Sequence, residues 1–126
     1  MAKILVIEDD AQMRLLLRRA LEAAGHQVVD AENGAKGLKR FGESHADLVV
    51  TDIIMPDKEG IQTIIELKQS DPQIKVLGIS GGGRTENLEF LRIAKKSGAD
   101  RVMAKPFRTA DFVKTVAELL AQERPQ

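Results

Sequence analysis

The sequence predicts a doubly wound α/β fold, a (βα)5 chain around a five-stranded parallel sheet, and two observations carry that prediction. Short apolar runs recur at residues 4–7, 28–29, 48–50, 76–79 and 102–104. Continuous runs rich in branched residues suit strands covered on both faces. Longer segments stand between them, with apolar residues every three or four positions, the spacing of an amphipathic helix. Strict alternation of the two implies right-handed crossovers, with helices on both faces of the sheet.

The elements follow in order. After the first run, Met13, Leu16, Leu17, Ala20 and Leu21 form a helical stripe that closes at Gly25, a helix-terminating glycine. The segment 34–41 carries the least helical signal, since it has two glycines and little apolar surface. Ile61, Ile64, Ile65 and Lys68 make the third stripe, stopped by Asp71-Pro72; Leu88, Leu91 and Ala94 make the fourth, stopped by Ser97-Gly98. Phe112, Val116, Leu119 and Leu120 give the fifth. Residues 1–122 are read as one domain and 123–126 as a tail.

The totals narrow the function classes. A chain of 126 residues supports a single core. Its formal net charge is zero and its basic residues are scattered among acids, so neither nucleic acid nor membrane is an expected partner. The absence of cysteine excludes disulfides, thiolate catalysis and cysteine-ligated zinc. The opening MAKILVIEDD is too short in its apolar part for a signal peptide or a membrane span, and a cytoplasmic domain is expected.

In such sheets the active crevice lies beyond the carboxyl ends of the strands. Glu8, Asp9 and Asp10 follow the first run, Asp52 the third, Ser80 the fourth, and Lys105-Pro106 the fifth. Acids, a hydroxyl and a lysine therefore converge on one rim. Carboxylates this close repel one another unless a cation or a proton intervenes, and oxygen-only ligands favour Mg²⁺ or Mn²⁺. Asp10 is read as a helix N-cap or a solvent-facing residue rather than a ligand. His26 and His45 precede the second and third strands and fall at the opposite end, as surface residues.

These residues resemble the receiver domain of two-component response regulators along essentially the whole chain, through "ILVIEDDAQMR", "DLVVTDIIMPDKEG", "VLGISG" and "GADRVMAKPF". By this resemblance the nearest members would be the stand-alone, chemotaxis-type regulators. The resemblance implies a flavodoxin-like sheet with strand order 2-1-3-4-5. It implies that Asp52 is the phosphoacceptor, taking a phosphoryl group from a histidine kinase or phosphotransfer protein and switching protein–protein interactions with a downstream target. Mg²⁺ (or Mn²⁺) would be held by Asp9 directly, by Glu8 through water, and by Asp52 and the backbone carbonyl of Ile54. Lys105 would pair with a phosphoryl oxygen, or with Asp52 before phosphorylation, and Ser80 would donate its hydroxyl. Pro56 and Gly60 match the family's turn after the phosphoacceptor, and Lys105-Pro106 its cis peptide. Such a domain is no enzyme beyond catalysing its own phosphorylation and dephosphorylation.

Two departures bear on switching. Val102 stands where the family usually has an aromatic that moves on activation, and the stretch ISGGGR puts Gly81, Gly82 and Gly83 after Ser80. Movement of that glycine loop is therefore expected to replace aromatic rotation. A phosphohydrolase of the haloacid-dehalogenase type would need a second acid where Ile54 stands. A nucleotide or flavin binder would meet Glu8-Asp9-Asp10 where it needs a phosphate loop, and ISGGGR lacks P-loop spacing. Arg92, Lys95, Lys96 and Lys114 fit a solvated surface as well as they fit a dimer face. A monomer is expected, with the face of the fourth and fifth predicted helices as the alternative dimer contact.

Overall fold

The computed structural model describes residues 2–53, 59–80, 92, 95, 96 and 98–122. Within them the order is β1(Lys3–Ile7), α1(Ala11–Ala23), β2(Gln27–Ala31), α2(Gly34–Glu43), β3(Leu48–Asp52), α3(Glu59–Ser70), β4(Lys75–Ser80), β5(Arg101–Ala104) and α4(Thr109–Ala121). The strands are parallel and ordered β2-β1-β3-β4-β5. The expected helix through Leu88, Leu91 and Ala94 lies outside the described residues, apart from Arg92, Lys95 and Lys96, which are helical.

Successive strand residues face opposite sides of the sheet, so each strand feeds two cores. Leu5, Ile7, Val49, Ile53, Ile64 and Leu67 are buried together on the side covered by α2 and α3. Ile4, Val6, Leu17, Leu21, Leu77 and Phe112 are buried on the side covered by α1 and α4. Burial on both faces holds for β1, β3 and β4 but is incomplete for β2 and β5. Those two are the sheet's edges, and Val102 and Met103 are only half-buried there, a position that a run of apolar residues does not reveal.

Local chemistry sets the helix ends. The Asp10 carboxylate accepts from the backbone N–H groups of Gln12 and Met13, capping α1. At the other end Gly25 takes φ 95°, a left-handed conformation that costs glycine least. The low helical signal of α2 has a packing reason. A Cβ on Gly37 would stand 2.7 Å from Ile7 Cγ1, so the missing side chain lets the helix lie flush on β1. Gly37 and Phe41 are buried, and Leu38 packs against the same core.

Candidate functional site

The strand register gathers the rim. Ile7 is level with Thr51, Asp52 with Ile79, and Ser80 with Ala104. Glu8 follows β1, Asp52 and Ser80 end β3 and β4, and Lys105 follows β5. The chain corner after β1 turns at once into the capped start of α1, and Asp9 sits on it. Glu8, Asp9 and Asp52 each offer a carboxylate oxygen, all within 4.8 Å of one another. Glu8 and Asp52 are buried, whereas Asp9 is exposed.

Lys105 Nζ donates to Glu8 Oε1 at 2.7 Å and lies 3.6 Å from Asp52 Oδ2. Its first partner is therefore Glu8, with Asp52 second. The Lys105–Pro106 peptide is cis. Ser80 Oγ is fully buried and has no hydrogen-bond partner among the described residues.

Protonation follows from crowding. Burial, then a hydrogen bond and the charge of Glu8, push the Asp52 carboxyl up to about 8, with Lys105 opposing. Burial also works to raise Glu8, but hydrogen bonds with Asp52 and Lys105, and the charge of Lys105, hold it below the ordinary carboxylate value. Asp9 is raised by partial desolvation and by Glu8 beside it. Burial disfavours the Lys105 cation, yet Glu8 and Asp52 together raise it. Near neutral pH the rim thus holds an ionised Glu8, a charged Lys105 and a proton on Asp52. That proton is what a divalent cation would displace.

Ile54, Pro56, Gly81, Gly82 and Gly83 lie outside the described residues. Val102 is level with Gly78 on β4, where a Cβ would meet the side chain of Ile53, the residue after Asp52. Gly60 belongs to α3 rather than to a turn, and a Cβ there would stand 2.7 Å from the Ile53 carbonyl carbon. His26 and His45 line a groove of ≈ 720 Å³ at the amino-terminal edge of the sheet, away from the acids. One contact escaped the sequence: Arg14 Nη1 donates to the carbonyl of Glu8 at 2.8 Å. Its only sequence signal was position, one helical turn beyond the Asp10 cap.

A parallel sheet ordered 2-1-3-4-5 with an acidic triad and a lysine at its carboxyl rim defines a class of phosphoryl-signalling domain. The response regulator receiver domain matches residues 4–117, and the chain belongs to that family, the receivers of two-component systems. It is 34% identical over 125 residues to the response regulator receiver protein CpdR of Brucella abortus, covering 95% of this chain and 98% of that one. It is 33% identical over 119 residues to the chemotaxis protein CheY of Bacillus subtilis, covering 94% and 97%. Among solved structures, a receiver domain protein from Clostridium thermocellum superposes with a TM-score of 0.86 at 30% identity, over 95% of this chain and 94% of that one. Receiver domains interact with histidine kinases or phosphotransfer proteins. No described helix is long and apolar enough to cross a membrane.

Proposed function

We propose that Asp52 accepts a phosphoryl group from the phosphohistidine of a kinase or phosphotransfer protein, and that the modified domain changes its protein partners. One observation carries this reading: the carboxylates of Glu8, Asp9 and Asp52 meet within 4.8 Å at the strand ends, with Lys105 Nζ 3.6 Å from Asp52 Oδ2. Asp52, once deprotonated, attacks phosphorus; a P–O bond forms as the P–N bond to imidazole breaks. The imidazole nitrogen leaves with that electron pair and takes a proton from solvent.

The all-oxygen donor set fits a hard cation, Mg²⁺ or Mn²⁺, and a bound ion would supply positive charge against the phosphoryl oxygens. Asp9 and Asp52 would bind it directly, Glu8 through water, and the Ile54 carbonyl would add an oxygen. Lys105 Nζ shifts its donation from Glu8 toward a phosphoryl oxygen. The Ser80 hydroxyl, unpartnered among the described residues, donates to another. In this reading the domain catalyses only its own phosphorylation and dephosphorylation, the latter by water attacking the acyl phosphate. Movement of Gly81–Gly83, rather than of Val102, then carries the change to the partner surface.

Acetyl phosphate with Mg²⁺, followed by intact mass, tests the proposal. Wild type is expected to gain one phosphoryl group, and Asp52→Ala and wild type in EDTA none. Equal labelling of wild type and Asp52→Ala would overturn it.

A further inference from the structure

The corner between β1 and α1 carries two of the three acids, and Glu8 is held there by every polar atom it has. Its N–H donates to Ala31 O at 3.1 Å, and its Oε1 accepts from Lys105 Nζ at 2.7 Å. Its Oε2 accepts from the Asp10 N–H at 3.3 Å, and its carbonyl accepts from Arg14 Nη1 at 2.8 Å. Two of those four partners are backbone groups and one is the rim's own lysine. Arg14 is the fourth of these, a side chain that reaches the corner from α1, and the neighbouring carboxyls of Asp52 and Asp9 also bond to Glu8.

The carbonyl it grips belongs to the peptide that joins Glu8 to Asp9. A peptide unit is planar, so fixing its oxygen also fixes the N–H and Cα of Asp9. Asp9 is exposed, and apart from its interaction with the Glu8 carboxylate its aim is set by its backbone. Arg14 is itself anchored, because its own N–H donates to Asp10 O at 2.9 Å within the capped first turn of α1. A charged donor on a carbonyl is among the stronger neutral-acceptor hydrogen bonds, and a guanidinium offers a planar, directed one.

We infer that Arg14 is a positioning residue for cation binding at the rim: by holding the Glu8–Asp9 peptide it aims Asp9 at the ion. This rests on the proposed role of the rim as a Mg²⁺ site. Partners that orient metal ligands in this way typically matter by about 10-fold to 100-fold in affinity. Acting through one backbone carbonyl, Arg14 belongs at the lower end.

The sign of the effect separates positioning from bystander electrostatics. Arg14 is a cation beside an acidic cluster, so by charge alone its removal should tighten Mg²⁺ binding. Positioning demands the opposite. Mg²⁺ affinity is measured by calorimetry on wild type, Arg14→Ala and Arg14→Lys, with melting followed by circular dichroism in EDTA. Arg14→Ala is expected to weaken Mg²⁺ about tenfold, and Arg14→Lys, which keeps a donor and the charge, to recover part of that loss. Acetyl phosphate labelling of Arg14→Ala should return toward the wild-type rate when Mg²⁺ is raised to saturation. Unchanged or tighter Mg²⁺ binding in Arg14→Ala would overturn the inference. So would equal weakening in both variants, or a weakening matched by a collapse of the metal-free fold. Wild type that binds no Mg²⁺ would instead sink the proposed function itself.

Discussion

Gly60→Ala and Gly42→Ala are both glycine-to-alanine changes in helices, and they should move stability in opposite directions. By propensity alone each gains up to about 1 kcal/mol, because alanine loses less backbone entropy in a helix. Gly42 in α2 has nothing within 4 Å of its would-be Cβ, so that gain stands. At Gly60 the same atom would lie 2.7 Å from the Ile53 carbonyl carbon and nearer still to the Asp52 and Ile53 carbonyl oxygens. An ordinary contact of this kind is about 3.4 Å or more, so the start of α3 must move away from the end of β3. The obstacle is main chain, not the end of a flexible side chain. Overpacking typically costs about 1–3 kcal/mol, and a backbone obstacle puts Gly60→Ala at the upper end. The net expectation is a loss of about 1–2 kcal/mol for Gly60→Ala and a gain of about 0.5–1 kcal/mol for Gly42→Ala. Urea denaturation followed by circular dichroism reads both. Because the displaced atoms belong to Asp52 and Ile53, labelling by acetyl phosphate should also slow in Gly60→Ala. Equal stabilisation of the two variants would refute the close approach of α3 to β3.

Three further outcomes follow. Asp52 holds its proton up to about pH 8, against an ordinary 3.8, and must lose it to bind a cation. Apparent Mg²⁺ affinity should therefore fall by up to about tenfold per pH unit below 8, with proton release seen by calorimetry in buffers of different ionisation enthalpy; a flat profile from pH 6 to 8 would contradict the assignment. The same raised value means the folded state binds a proton that the unfolded state sheds, so this group's contribution to stability declines as pH rises from about 4 to about 8. Asp52→Asn should accordingly stabilise the metal-free protein more at pH 8 than at pH 5, read as urea midpoints. Phe112→Ala, at a fully buried position between the sheet and α4, should cost about 3–5 kcal/mol in the same assay, and a loss below about 1 would mean the core can close over the gap.

Much of this was legible in the residues. The branched runs became strands because a parallel sheet covered by helices has little polar surface to offer, and the chemical residues fell at strand ends because the topology collects those ends on one rim. Of the two readings open for Asp10, cap or solvent-facing residue, the structure has the cap, since a short acid before an amphipathic stripe has a local reason to be there. What escaped was information carried by absent or distant atoms. Gly37 looked like a weakness in α2 and is the point where that helix touches Ile7. Gly60 looked like a turn and is the start of a helix pressed on two carbonyls. Lys105 lies 3.6 Å from Asp52, but nothing in the sequence signalled that Glu8 is nearer still; Glu8 is fully buried, and a buried carboxylate needs the closest cation. Arg14 drew no attention because its partner is a backbone carbonyl, which has no signature in sequence.

The claim that Asp52 carries the phosphoryl group is tested most directly by reducing the labelled protein with borohydride. An aspartyl phosphate is a mixed anhydride; hydride converts its carbonyl to an alcohol and expels phosphate, leaving homoserine where aspartate stood. Peptide mapping of protein treated with acetyl phosphate and Mg²⁺ should find homoserine at position 52, and none there in EDTA. Homoserine at Asp9 or another acid, with position 52 unchanged, would contradict the account.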